Sequence, residues 1–268
     1  MPQRHSPCQN HILAALPAPQ YYRLLPRLEA VELPLGCALH PAGERESHLH
    51  FITGGIVSRV YETRNGDSAE FALTGKEGVI GVASILGGDS TPSRAEVVVE
   101  GYAYRLPARL AKRELDRGGP LANLLLRYTL ALLAQAGQIA ACNRHHSLEQ
   151  RLCRWILSSV DRMRSGQLEL KQELIAAMLG VRREGVSETA TRLQRDGLIR
   201  YSRGHIAVLD RPRMEGRACE CYGAIRREYA RLLPAQGVAA GGAAAFGTPP
   251  IPRASRTSIA TLQFHAPG

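Results

Sequence analysis

The chain has 268 residues, a formal net charge of +10 and a pI near 9.7. That length accommodates one or two packed domains, and the charge points to an anionic partner. Six cysteines scattered through the chain exclude the disulfide framework of a small secreted domain. The opening run MPQRHSPCQNHILAALP lacks the long apolar core of a secretory signal, so the expected compartment is the cytoplasm.

Residues 10–16, with Asn10 as a cap, and 19–28, with Pro19 near the start, read as two short helices. From Glu29 to Pro107 short strand-like runs alternate with glycine: 29–33, 48–53, 56–61, 69–73, 95–100 and 102–106. Asn65-Gly66 supplies a hairpin turn between two of them. Short strands at this spacing predict a small antiparallel barrel or jelly roll.

Residues 119–142 form the longest helical pattern. Leu121, Leu125, Tyr128, Leu132, Gln135 and Ile139 recur at spacings of four and three, as expected of a dimer seam. The competing reading is burial against the protein's own barrel, and both can hold, because Leu124, Leu126, Leu130 and Leu133 give the same helix a second apolar face. Arg127, Gln135 and Gln138 interrupt the run and make it a poor membrane span. Ser147, followed by Glu149 and Gln150, then starts a helix whose inner stripe is Leu148, Leu152, Trp155, Ile156 and Ser159.

Cys142, His145, His146 and Cys153 raise the question of a metal. Adjacent histidines on a helix point about 100° apart, and the spacing offers no four-ligand geometry. Cys219 and Cys221, two apart in a helical pattern, are expected to point in different directions. No metal site and no cofactor is therefore expected.

Residues 171–193 read as two helices meeting at Gly180. Leu174, Ala177 and Met178 make the apolar side of the first, and Val186, Ala190 and Leu193 that of the second. The outward side of the second carries Arg183, Glu184, Ser187, Glu188 and Thr191, side chains able to hydrogen-bond base edges in a major groove. After Asp196-Gly197, two apolar runs flank the turn Ser202-Arg203-Gly204-His205, a hairpin or wing. Arg200, Arg203 and His205 on this wing, with Lys171, Gln172 and Arg182 at the helix starts, are the candidate phosphate contacts. Residues 213–233 read as a closing helix, and the Ala/Gly/Pro-rich tail 234–268 as disordered.

The segment QELIAAMLGVRREGVSETATRLQRDGLI and the basic hairpin after it resemble the winged helix-turn-helix of the Crp/Fnr family of bacterial transcription regulators. With the barrel, the resemblance covers about two-thirds of the chain. It implies that Arg183, Glu184 and Ser187 face base edges and that Gln172 meets phosphate. It also implies a homodimer on a palindromic operator of double-stranded DNA, acting with RNA polymerase. Glu188 stands where the best-known members carry a second arginine, and Thr189 replaces an aliphatic residue, so their operator does not carry over. The barrel resembles the family's cyclic-nucleotide-binding-type sensor, with Gly54-Gly55, Gly75, Gly78 and Gly81 at its tight turns. Members that bind a cyclic nucleotide carry Gly-Glu-x-Gly and Arg-Ser/Thr-Ala, whereas this chain has Gly78-Val79-Ile80-Gly81 and Ser93-Arg94-Ala95. Arg94, shifted by one residue, is left as the candidate effector contact, and the effector is unknown. Relatives with an iron–sulfur cluster have several close N-terminal cysteines, but here Cys8 stands alone before Cys37.

The expected fold is α+β, divided as 1–115 sensor, 116–145 dimerisation helix, 146–233 winged helix-turn-helix and 234–268 tail. The expected function is sequence-specific transcription regulation under an unidentified signal. A cyclic-nucleotide-responsive regulator is the alternative within the family. An enzyme that docks on nucleic acid is the alternative outside it, and it lacks GxSxG, HExxH or a P-loop lysine motif.

Overall fold

A computed structural model describes residues 6–163 and 166–233. The tail read as disordered, 234–268, lies outside the described residues. Helix α1 (His11–Ala14) starts at Asn10, whose Oδ1 accepts from the Ile12 and Leu13 amides at 3.1 and 3.2 Å. The other end of the same amide donates to the Ile52, Lys76 and Gly78 carbonyls at 2.8–3.1 Å, so one buried side chain both caps the helix and ties it to the sheet. Helix α2 spans Ala18–Leu24.

The jelly-roll sheet is antiparallel throughout. Strands β1 (Glu29–Leu33), β3 (His48–Glu62), β4 (Ser68–Thr74) and β6 (Arg94–Pro107) lie in the order β1-β6-β3-β4. Strand β2 (Ala38–His40) pairs with β6 and β5 (Val79–Ile80) with β3. Four of the expected short strands fuse in pairs. Runs 48–53 and 56–61 are one strand, bent where the register shifts at Gly54, and runs 95–100 and 102–106 are another, bent at Gly101. A Cβ on Gly101 would lie 2.1 Å from the Gly54 carbonyl oxygen, so these glycines let two bent strands cross rather than ending them.

After α3 (Ala83–Leu86) and α4 (Ala108–Asp116), helix α5 runs from Pro120 to His145. Here the expected dimer seam is corrected: Leu121, Leu125, Tyr128, Leu132, Gln135 and Ile139 are all buried inside the same chain. Tyr128 stands over Gly78, where a Cβ would come within 2.3 Å of its ring, and its hydroxyl is 3.1 Å from Thr74 Oγ1. Gln135 accepts from the Tyr229 hydroxyl at 2.6 Å. The other apolar face, apart from buried Leu124, is the open one. Leu126, Leu130 and Leu133 are exposed by 50, 47 and 68%. By length and composition α5 could cross a membrane, but its inner face is spent on the protein's own core.

Helix α6 (Leu148–Val160) begins with the expected capping box of Ser147 and Gln150. The rest of the C-terminal half is β7 (Gln167–Glu169), α7 (Gln172–Leu179), α8 (Arg183–Arg195), β8 (Ile199–Ser202), β9 (His205–Val208), α9 (Arg211–Arg217) and α10 (Glu220–Leu232). The single closing helix expected over 213–233 is two helices, because the backbone is extended at Ala218 and Cys219. Both halves share one core, in which Trp155, Met178 and Leu193 pack with Ile56, Leu73 and Val98 of the sheet. Buried Glu70 of β4 accepts from Ser58 Oγ at 2.7 Å and from Trp155 Nε1 at 3.1 Å across that junction.

Candidate nucleic-acid interface

Helix α7 ends at Gly180, whose left-handed backbone (φ 62°) a side chain would strain, and Val181 N returns to the Ala176 carbonyl at 3.0 Å. The tight turn sets α8 across α7. Val186, Ala190 and Leu193 are buried as expected, joined by Thr189. In α7 the inward side is Ile175, Ala176, Met178 and Leu179, while Leu174 and Ala177 are only half-buried at its edge. Of the outward residues, Arg183, Glu184, Glu188 and Thr191 are exposed and Ser187 is half-buried. The Thr191 hydroxyl donates to the Ser187 carbonyl at 2.8 Å, leaving its oxygen as an acceptor.

The wing follows from Arg203 and Gly204, with φ of 51° and 85°, a two-residue turn whose twist suits a tight hairpin. Three bonds fix it beside α8: Tyr201 N to Gln194 Oε1 at 2.7 Å, Tyr201 hydroxyl to the Leu170 carbonyl at 2.9 Å, and Leu170 N to the Gly204 carbonyl at 2.7 Å. Burial first, and then Glu173, pushes the Tyr201 phenol up to about 12, so it stays a neutral donor.

Between α7, α8 and the wing lies an open cleft of about 350 Å³. Lys171, Gln172, Arg183, Thr191 and Arg203 of the expected contacts line it, with Glu173, Gln194 and Tyr201, which sequence reasoning missed. Gln194 was recoverable, since it follows Thr191 by three residues on the same helix face. Glu184, Ser187, Glu188, Arg182 and His205 lie outside the cleft lining, on the surfaces beside it. Arg200 is outside the lining too: strand alternation and register set it, with Ser202 and His205, on the side of the hairpin opposite Tyr201.

Charge separates two groups of arginines. Arg192 and Arg217 pair with Glu149, Arg217 also with Asp196, Arg195 with Asp196, Arg213 with Asp210, and Arg211 with Asp161 and Glu215. Among the described residues, Lys171, Arg182, Arg200 and Arg203 enter no ion pair with the protein. Arg183 meets only Glu173, at 3.1 Å with both side chains exposed, a contact worth little in water. Neither Lys171 nor Arg182 caps the helix it precedes, which leaves backbone N–H groups of α7 and α8 open to an anion.

In the sensor, Arg94 does not stand free for an effector. Its guanidinium is held by the carboxylates of Glu62 and Glu96, the latter at 3.1 Å. Val79 points into the core instead of presenting an acid. The cysteines also depart from the expected arrangement. Cys219 and Cys221 do not diverge; they meet Cys142 and His146 at the far end of α5, while Cys153 is buried elsewhere and His145 is exposed.

Residues 150–217 match the Crp-like helix-turn-helix domain family. No curated protein matches the chain by sequence. Among solved structures, a transcriptional regulator assigned to the Crp/Fnr family from Eubacterium rectale is 19% identical, over 80% of this chain and 98% of that one, with a TM-score of 0.61. FixK2 from Bradyrhizobium japonicum is 16% identical over 72% and 98%, with a TM-score of 0.63. CLP of Xanthomonas campestris, a c-di-GMP-responsive global regulator, is 16% identical over 72% and 100%, with a TM-score of 0.59. Residues 150–217 are thus a Crp-like helix-turn-helix domain, and the fold of the chain, a jelly roll followed by a long helix and that domain, is the fold of these solved structures.

Proposed function

We propose that the protein works in the cytoplasm as a homodimer that reads a palindromic operator through α8, and that it regulates transcription rather than catalysing a reaction. The observation that carries this reading is the set of unpaired cations and open helix starts around α8, beside a flank where Arg192, Arg211 and Arg217 each meet a carboxylate. Arg183, Glu184, Ser187, Glu188 and Thr191 supply base contacts, and Lys171, Gln172, Arg182, Arg203 and His205 supply phosphate contacts from the helix starts and wing. Arg200, on the same side of the hairpin as His205, belongs with the phosphate contacts. The operator differs from that of the best-known relatives because Glu188 favours a cytosine N4 donor where they place an arginine.

The second copy docks on the outer face of α5. Leu126, Leu130, Leu133, Gly137 and Ala140 are all exposed and follow a four-three spacing, the pattern of two helices packed along a seam. A dimer so formed places two α8 helices about 34 Å apart on one face of the duplex. The sensor acts on α8 through the shared core and through Glu70 and Trp155, with RNA polymerase as the partner downstream. Its signal is something other than a cyclic nucleotide: the ribose-binding acid is replaced by core-packed Val79, and Arg94 is already held by two carboxylates.

Selection of random duplexes by the purified chain tests the reading. It should return an inverted repeat whose half-sites are centred about 10 base pairs apart. Enrichment of no sequence, or of a single unrepeated site, would overturn it.

A further inference from the structure

Cys142 and His146 lie four residues apart on the last turns of α5, a spacing that puts both on one helix face. Opposite them, Cys219 stands at the cap position of α10 in extended conformation and Cys221 in its first turn. The helical rule that separates residues two apart does not hold across a cap, and both sulfurs turn toward α5. The four donor atoms lie within 4.8 Å of one another. Cys142 Sγ and Cys219 Sγ are 3.5 Å apart, as are Cys221 Sγ and His146 Nδ1. A tetrahedral zinc ion with thiolates at about 2.3 Å needs donor separations of about 3.8 Å. We propose that Cys142, Cys219, Cys221 and His146 form a site for a thiophilic divalent cation of the zinc class, one per chain.

The surroundings are those of a metal site. Glu220 Oε1 lies 3.2 Å from His146 Nε2, the carboxylate–histidine arrangement that fixes the tautomer and turns Nδ1 to the metal. Gln138 Nε2 approaches Cys221 Sγ at 3.1 Å as a donor to a thiolate. Three thiolates around a divalent cation leave one negative charge, and buried Arg154 stands near Cys142 to offset it. All three sulfurs are buried, while His146 retains some exposure and gives the ion an entry. A disulfide between Cys142 and Cys219 is the rival use of this cluster. It would consume two sulfurs and leave Cys221 and the histidine without a purpose. The site joins the end of α5 to α10 across the point where α6 departs, so a bound ion fixes the base on which the winged helix is mounted.

Titration of the reduced, metal-free full-length chain with cobalt(II) tests this. The expected result is the strong visible bands of tetrahedral cobalt with thiolate charge transfer in the near ultraviolet, saturating at one equivalent and displaced by zinc. Cys219→Ser and Cys221→Ser should each weaken binding at least tenfold, and His146→Ala should shift the visible bands. Cys153→Ser, which alters a thiol outside the cluster, should titrate as the wild type does. If either cluster serine variant folds poorly, the wild-type chain still decides, because removing zinc with a chelator should lower its Tm. The proposal is overturned by an octahedral cobalt spectrum, by cluster variants that bind like the wild type, or by a wild-type chain that takes up no cobalt while its thiols are reduced.

Discussion

The front and the rear of the winged helix both carry arginine, yet they differ in what those arginines meet. At the rear, Arg192, Arg211 and Arg217 are held by Glu149, Asp161, Asp196 and Glu215. At the front, Lys171, Arg182 and Arg203 have no ionic partner among the described residues, and Arg183 has one exposed carboxylate. Net charge alone would count the two sides together, but a cation already beside a carboxylate must give up that contact to neutralise a phosphate, and an unpaired one need not. Helix α5 repeats the lesson with leucine. One stripe is fully buried within the chain, and the other stands open at the spacing of a helical seam. In both places a residue's role follows from what the fold has already supplied to it.

Exchanging charge between the two stripes of α5 gives the largest expected effect. Leu125→Asp places an ion in a fully buried position and should cost several kcal/mol, enough to abolish folding in a circular-dichroism melt. Leu133→Asp alters a side chain that is 68% exposed, so the chain should keep its Tm as a monomer. Its effect belongs to the dimer, whose Kd should rise about 100-fold, equivalent to roughly 3 kcal/mol, by sedimentation. A Leu133→Asp chain that dimerises normally would remove this face from the interface.

Inside the sensor, His40 extends the comparison to a buried neutral group. Burial first, and Arg59 second, pushes its pKa down to about 4 from an ordinary 6.5. The unfolded chain therefore binds this proton first as pH falls. Stability from neutral His40 is present above pH 6.5 and is lost between there and pH 4, by up to about 1.4 kcal/mol per unit. Urea melts at several pH values should show that slope, and His40→Gln should reduce it by His40's share, leaving the share of buried His50. An unchanged slope would place the acid sensitivity elsewhere.

The smallest effect is expected at the rear of the winged helix. Arg217→Ala removes exposed pairs with Glu149 and Asp196, so Tm should fall slightly and affinity for the operator should stay as it was. A large loss of DNA binding would mean that the rear surface also takes part.

Local signals made much of this fold readable. Asn10, Ser147 with Gln150, Asn65-Gly66 and Gly180 each determine a cap or turn by their own chemistry, and each sits where its pattern placed it. What escaped depended on contacts distant in sequence. Glycine is a strand breaker by default, but Gly54 and Gly101 meet each other and bend two long strands instead. Two stripes on α5 were equally apolar, and only packing against α10 and the sheet decided which was buried. The outward side of α8 followed from helical periodicity, whereas Tyr201 joined the cleft through hydrogen bonds to Gln194 and Leu170. Cys142 and His146 at i and i+4 were half of a visible signal, and the other half was hidden by a helix break at Ala218 that no glycine or proline announces at that point.

The central claim is that α8 reads bases while the wing holds phosphate, and one experiment addresses both. Wild type, Arg183→Ala and Arg203→Ala would be titrated against the selected operator and a scrambled duplex at several salt concentrations. Arg183→Ala should weaken operator binding by roughly 1–3 kcal/mol and binding to the scrambled duplex far less. Arg203→Ala should weaken both duplexes alike and reduce the salt slope by about one unit, because one fewer counterion is released. Equal losses on the two duplexes for Arg183→Ala would contradict the account and move base reading from Arg183 to Glu184, Ser187 and Glu188.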